Sequence, residues 1–426
     1  MRITKQPIDS LLIVLCITLC GSARADEFNY DESQVPQYSL PDPLTTETGE
    51  VIDSVESWRT IRRPEILKLF QQHVFGRVPQ IDVRLRVRSH DRAVVLEGAA
   101  IREQQTIYLT NDDVGPSIDV LIYTPAGSTE PVPAFLGLNF RGNHTVDADS
   151  AIRLPTSWVR KDERTRESGN RASEVLRGDQ SHRWDVKQVL SRGYGLVTAY
   201  YGDIDPDFDD GFQNGVHQLD RDQGPDRTDD AGGSISAWAW GLSRILDTLE
   251  SHPRIDGKRV AVFGHSRLGK TSLWAGASDE RFALVISNNS GCGGAALSRR
   301  RFGETVQRIN TVFPHWFCRK HRDYDDNEDQ LPVDHHQLIA LMAPRPVYVA
   351  SAEDDRWADP HGEMLSVYHA GPVYALFDRT GLPSTEQPEV GKPIMADVGY
   401  HIRSGKHDVT PYDWEQYLNS ADQHLK

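Results

Sequence analysis

Between Ile81 and Pro125, apolar and polar residues alternate in four short segments: IDVRLRVRSH, RAVVLEGAAI, QQTIYLT and SIDVLIYTP. A period of two puts every second side chain on one face, so these segments are predicted as antiparallel strands joined by turns. Ahead of them, from Pro64, residues Ile66, Leu67, Phe70 and Val74 fall at helical spacing, with Gly76 just past the end. That predicts an amphipathic helix. From Pro133 the period changes. PAFLGLNF reads as a short buried strand, and GYGLVTAYYGDIDPD as a second one running into an acidic loop. SISAWAWGLSRILDTLESHP carries Ile235, Trp238, Leu242, Ile245 and Leu249 on one helical face. The apolar runs RVAVFG, ALVISNNSG and RPVYVASAEDD follow, and PYDWEQYLNSADQHL closes the chain as a helix. Buried strands alternating with helices predict an α/β fold, an open sheet covered on both faces, with antiparallel strands at its front. With no internal repeat, residues 55–426 read as one domain. Residues 26–54, rich in Pro, Asp, Thr and Glu, form an extended lead-in.

The first 25 residues stand apart. Early cations, an apolar run from Leu11 to Cys20 and Ala23-Arg24-Ala25 make the three regions of a cleaved export signal ending at Ala25. The run is short for a membrane span, which leaves a permanent anchor as the lesser alternative. Leu19 stands where a lipoprotein signal before Cys20 would carry a small residue. The expectation is an exported protein, periplasmic or secreted, that is monomeric and has no membrane contact after cleavage.

Charge narrows the partners. The 426-residue chain carries a formal net charge of −15 and no long basic run, so nucleic acid and anionic membranes are excluded as partners. Of four cysteines, Cys16 and Cys20 leave with the signal. Cys292 and Cys318 remain, free to pair but too few for a disulfide scaffold. No Cys/His spacing suits zinc. The Asp334-His335-His336 cluster and the acidic GDIDPDFDD loop, which lacks EF-hand spacing, are read as structural or solvated. No metal or cofactor is expected.

The chemistry gathers at VAVFGHSRLGK, where a β-forming run enters Gly264-His265-Ser266-Arg267-Leu268-Gly269 ahead of a helix-capable stretch. G-x-S-x-G between strand and helix places a serine on a tight turn, with the next N–H lining an oxyanion hole. A serine needs a base and an orienting acid, expected later in the chain in the order acid, then His. His407, in the loop before the last helix, is the base, with His401 the nearest rival. Glu353, Asp354 and Asp355 follow a strand, and spacing does not choose among them.

These motifs together resemble the bacterial glucuronoyl esterases of carbohydrate esterase family 15. The likeness runs from about Ser57 to the C-terminus, through LNFRGNHT, AYYGDIDPD, GFQNGVH, GHSRLGK, NNSGCGGAALSRRRFGET and SAEDDRWADPHGE. It implies an α/β-hydrolase fold, a three-layer αβα sandwich on a mostly parallel sheet. It also implies hydrolysis of esters between glucuronic acid of xylan and lignin alcohols through a covalent acyl-enzyme. By resemblance Ser266 is the nucleophile and Arg267 aids the oxyanion through its N–H and guanidinium. Lys270, Glu304 and Trp357 hold the uronic ring. Some members carry a catalytic Glu where this chain has Asn289, and an amide cannot stabilise imidazolium as a carboxylate does. The acid then comes from the later loop, where the spacing to Trp357 selects Asp355, with Asp354 second. The alternatives are acetyl xylan or cinnamoyl ester hydrolysis and, in another class, a non-catalytic glycan-binding protein on the same scaffold.

Overall fold

The computed structural model describes residues 28–79, 81, 83–110, 115–219 and 227–426. The export signal expected over residues 1–25 lies outside them. Among the described residues no helix is long and apolar enough to cross a membrane.

Among the described residues nine strands form one sheet in the order β1-β2-β3-β5-β4-β6-β7-β8-β9. They are β1 Arg86–Val95, β2 Ala100–Tyr108, β3 Ser117–Pro125, β4 Val132–Asn139, β5 Gly195–Tyr200, β6 Ile255–His265, β7 Leu284–Asn288, β8 Val347–Ala352 and β9 Val398–Arg403. The first three pair antiparallel, β3 pairs antiparallel with β5, and every pairing from β5 to β9 is parallel. Four segments were predicted where three strands stand. A register shift between Ser89 and Asp91 absorbs the polar join of the first two, and β1 runs on through Ala93-Val94-Val95. Such a bulge keeps a ladder continuous where the alternation breaks.

The α/β-hydrolase layering follows from the alternation inside the parallel strands. Ala134, Leu136, Val260 and Val262 point into one core, packed by Trp238, Leu242 and Ile245 of the helix Ser234–Leu249 and by Leu273 and Trp274 of Arg267–Ser278. Their neighbours Phe135, Ala261 and Phe263 point into the other core, beneath Trp414, Tyr417 and Leu418 of the helix Pro411–Leu425. A sheet buried on both faces has strands that read as continuous apolar runs, as these do. The helix predicted from Pro64 spans Arg63–His73 and buries Ile66 and Phe70. Among the described residues the helix Pro360–Ala375 and strand β9 went unpredicted, as did the short helices Val186–Ser191, Val306–Val312 and His335–Ala340.

The lead-in is extended but not loose. Leu44 and Tyr38 pack against the first core, and Arg300 joins Glu32 of the lead-in to Asp359. Cys292 and Cys318 are both buried and, among the described residues, unpaired. Burial pushes the Cys318 thiol up to about 12. Asp334 caps the helix His335–Ala340 in a capping box with Gln337. Among the described residues no group of three or more His, Cys, Asp or Glu is arranged to hold a metal.

Candidate active site

Ser266 sits between the end of β6 and the helix Arg267–Ser278 with φ 58° and ψ −128°. A non-glycine residue there is strained by about 1–3 kcal/mol, which the surrounding structure must hold in place. Ser266 N–H donates to Asn288 O at 2.9 Å, tying the turn to β7, and the Ser266 carbonyl accepts from Gly269 N–H at 2.8 Å. A Cβ on Gly264 would lie 1.8 Å from the Leu268 carbonyl oxygen, so only hydrogen fits where strand and helix cross. The first helical N–H groups, with no partner inside the helix, point back toward the serine.

His407 follows β9 and Asp355 follows β8, and their side chains meet at 2.6 Å between Nδ1 and Oδ2. That bond fixes Nδ1–H as the donor and leaves Nε2 to face a nucleophile. Ser266 and His407 line the same two cavities, of about 210 and 290 Å³. Glu353 and Asp354 are exposed, whereas Asp355 is buried. His401 lies elsewhere, fully buried, with Nε2 2.9 Å from Asp413 and Nδ1 3.1 Å from the Tyr348 hydroxyl.

The larger cavity is also lined by Arg267, Lys270, Glu304 and Trp357. Lys270 Nζ donates to Ser290 O at 2.5 Å and stands 3.8 Å from the Glu304 carboxylate. Burial pushes Glu304 above the usual carboxylate range, and the Lys270 charge opposes it. Phe28 of the lead-in meets the Trp357 ring edge-on at 4.8 Å, and Gly303 N–H donates to Asn29 O at 2.8 Å. Residues 28 and 29 therefore brace the rim of the cavity. Asn289 also lines it, at φ 45°, its buried amide without a partner among the described residues.

Three contributors were not found in the sequence. Asp207 belongs to the acidic loop read as solvated or structural, yet its side chain is 0% exposed. Its Oδ2 accepts from the guanidiniums of Arg267 and Arg160 and from the Tyr201 hydroxyl. Its Oδ1 accepts from His315 and Trp316. Burial disfavours its charge, but the hydrogen bond from His315, the Arg267 charge and the Trp316 N–H outweigh that and hold it well below the usual carboxylate range. The Arg267 guanidinium is thereby fixed over the Trp316 ring, 4.6 Å from its centroid. Glu363, on an unpredicted helix, accepts from Ser290 N–H at 2.7 Å, Gly291 N–H at 2.9 Å and the Ser351 hydroxyl at 2.6 Å. Burial raises it to about 7. The His265 ring lies 4.5 Å from that of His407, tilted by 41°, and bonds Asn288 through Nδ1. Burial, then the nearby His407, push it well below its ordinary value, so it stays neutral beside the His407 ring. A Pro-flanked Asp within DIDPD was the one local hint of Asp207, since its partners other than Tyr201 come from three other segments.

Comparison with known proteins places these features in context. A family model described as "Glucuronyl esterase, fungi" matches residues 227–378. A carbohydrate esterase from an unknown prokaryotic organism is 50% identical over 401 residues, covering 93% of this chain and 92% of that protein. A 4-O-methyl-glucuronoyl methylesterase of Wolfiporia cocos is 36% identical over 369 residues, 82% of this chain and 75% of its own length. The solved structure of a promiscuous CE15 esterase from a marine bacterial metagenome superposes with a TM-score of 0.88 at 50% identity, covering 93% of this chain and all of that one.

Proposed function

Because the chain belongs to carbohydrate esterase family 15, the glucuronoyl esterases, and is a carboxylic-ester hydrolase, we propose that it cleaves esters of (4-O-methyl-)glucuronic acid on xylan with lignin alcohols. The observation that carries this reading is the meeting of Ser266 and the His407–Asp355 pair in the wall of a cavity that Lys270, Glu304 and Trp357 also line.

His407 Nε2 takes the Ser266 proton as Oγ attacks the ester carbonyl, and Asp355 stabilises the imidazolium through Nδ1–H. The 2.6 Å contact supports Asp355 over Asp354 as that acid. The carbonyl π pair moves onto oxygen, where the N–H and the clamped guanidinium of Arg267 oppose the new charge. Such donors act on charge that develops in the transition state, so they lower the barrier rather than tighten the ground state. Collapse expels the alcohol, which takes the proton from His407, and leaves the glucuronoyl group on Ser266. Water, deprotonated by His407, then attacks the acyl-enzyme, and the acid departs as Ser266 recovers its proton. In the acyl cavity Lys270 and Glu304 offer one donor and one acceptor to sugar hydroxyls, and Trp357 offers an apolar face to the ring.

The test is hydrolysis of benzyl glucuronate beside an acetyl ester and methyl ferulate, with Ser266→Ala as control. Selective turnover of the glucuronate, lost in the variant, is expected. Turnover confined to acetyl or feruloyl esters would overturn the substrate assignment. Silence on all three from folded protein would point to a glycan-binding role.

A further inference from the structure

The two cavities that share Ser266, Arg267 and His407 differ in charge. The one already given to the uronic ring contains carboxylates, Glu304 and Asp355. Among the described residues the other is lined by the guanidinium-bearing Arg141, Arg160, Arg183 and Arg267, with no Asp or Glu in its wall. In a chain of net charge −15, four arginines converging on one hollow of about 210 Å³ create a local field opposed to the global one. Their counter-charges lie behind the wall: Asp162 bonds Arg141 at 2.8 Å, Asp408 bonds Arg183 at 2.6 Å, and Asp207 serves both Arg160 and Arg267. Among the described residues that sets four cations against three carboxylates, and each guanidinium, with five N–H donors, keeps donors beyond its partner. The buried Arg267 Nε has no partner among the described residues. Phe140 and Tyr201 add aromatic surface to the same wall.

At the tetrahedral centre on Ser266 the acyl group and the departing alcohol must occupy different spaces, and the alcohol must reach His407 to be protonated. With the uronic ring beside Lys270 and Glu304, the arginine-lined cavity receives the alcohol. We infer that this cavity selects alcohols, aromatic ones in particular, that carry a carboxylate. Arginine pairs with such groups through two parallel N–H bonds, and the positive field draws the anion in from solution. This inference rests on the reaction assigned above, and its test separates the two.

The probe pair is benzyl glucuronate and its 4-carboxybenzyl counterpart, which differ only in the remote carboxylate. At low ionic strength kcat/KM for the carboxylated ester is expected to exceed that for the neutral one by about fivefold or more, chiefly through KM. The ratio should shrink toward one in high salt, because exposed charges are screened. It should also fall in Arg141→Gln and Arg183→Gln, whereas Arg141→Lys should retain part of it. A ratio at or below one, or one that survives both glutamine variants, overturns the inference while leaving the esterase reading intact. Should neither ester turn over, that reading fails. Binding of 4-(hydroxymethyl)benzoate to the Ser266→Ala protein, followed by NMR, then decides: saturable shifts of arginine Nε resonances that are absent with benzyl alcohol support the inference, and their absence overturns it.

Discussion

Replacing Asp207 by Asn tests whether the acidic loop holds Arg267, the arginine proposed to face the oxyanion. Five donors converge on the Asp207 carboxylate, three at Oδ2 and two at Oδ1. An amide keeps the shape but has one accepting end. If its oxygen faces Arg267, Arg160 and Tyr201, its NH2 confronts His315 and Trp316. His315 can change tautomer and accept, but the Trp316 indole N–H cannot. One orphaned buried donor costs about 1–3 kcal/mol. Lost charge assistance to two guanidiniums adds on the order of 1–2 kcal/mol, since hydrogen bonds to ionised partners are roughly twice as strong as neutral ones. The sum is about 3 kcal/mol of unfolding free energy. The opposite amide orientation sets its NH2 against two cations and costs more. A guanidinium freed from its clamp should also lower kcat on benzyl glucuronate by about a hundredfold, the scale of losing one oxyanion donor. Urea unfolding followed by tryptophan fluorescence gives the first quantity, and steady-state kinetics below the transition gives the second. A variant within 1 kcal/mol of wild type and within threefold in kcat would show that the convergence on Asp207 positions nothing of consequence.

Asp355→Asn should lower kcat by on the order of a thousandfold or more, while Asp354→Asn, altering an exposed carboxylate, should stay within about twofold; equal losses in the two variants would count against Asp355 as the orienting acid. Glu363, raised in the fold from 4.5 to about 7, contributes stability that is present below the unfolded value and lost as pH rises through 7. The change is at most about 3 kcal/mol, so thermal unfolding of Glu363→Gln between pH 5 and 9 should be flatter than that of wild type, and parallel curves would refute the assignment. Gly264→Ala places a Cβ 1.8 Å from the Leu268 carbonyl oxygen, and should both destabilise the fold and displace Ser266. Wild-type activity in a soluble Gly264→Ala protein would mean the turn relaxes without cost.

Much of the fold was legible because its cause is local. Buried parallel strands must be apolar on both faces, and PAFLGLNF, RVAVFG and RPVYVASAEDD are; the period-two segments before Pro133 had to be strands with unlike faces. The break at Ser89–Asp91 misled the division into segments because a bulge is a property of the pair of strands, and one strand's residues do not announce it. Strand β9 was missed because GYHIR is too short to carry a period, and only its place beside β8 makes it a strand.

The candidate site divides the same way. Ser266 announced itself because the elbow needs glycine at 264, a steric demand written within six residues. Fold order then pointed to His407 and to a cluster of three acids. Burial of Asp355, with Glu353 and Asp354 left in solvent, is a tertiary fact, since neighbouring positions on a turn differ only in what the rest of the chain packs against them. Asp207 shows the limit most plainly. Its carboxylate has chemical meaning only because Arg160, Arg267, His315 and Trp316 arrive from three separate segments to join the neighbouring Tyr201. The sequence by itself determined the sheet, the elbow and the kinds of group available for chemistry, because those follow from periodicity and local sterics. Which carboxylates are buried, which arginines share a wall and which of them are held still were decided only by folding, because electrostatics depends on distances in space that sequence separation does not encode.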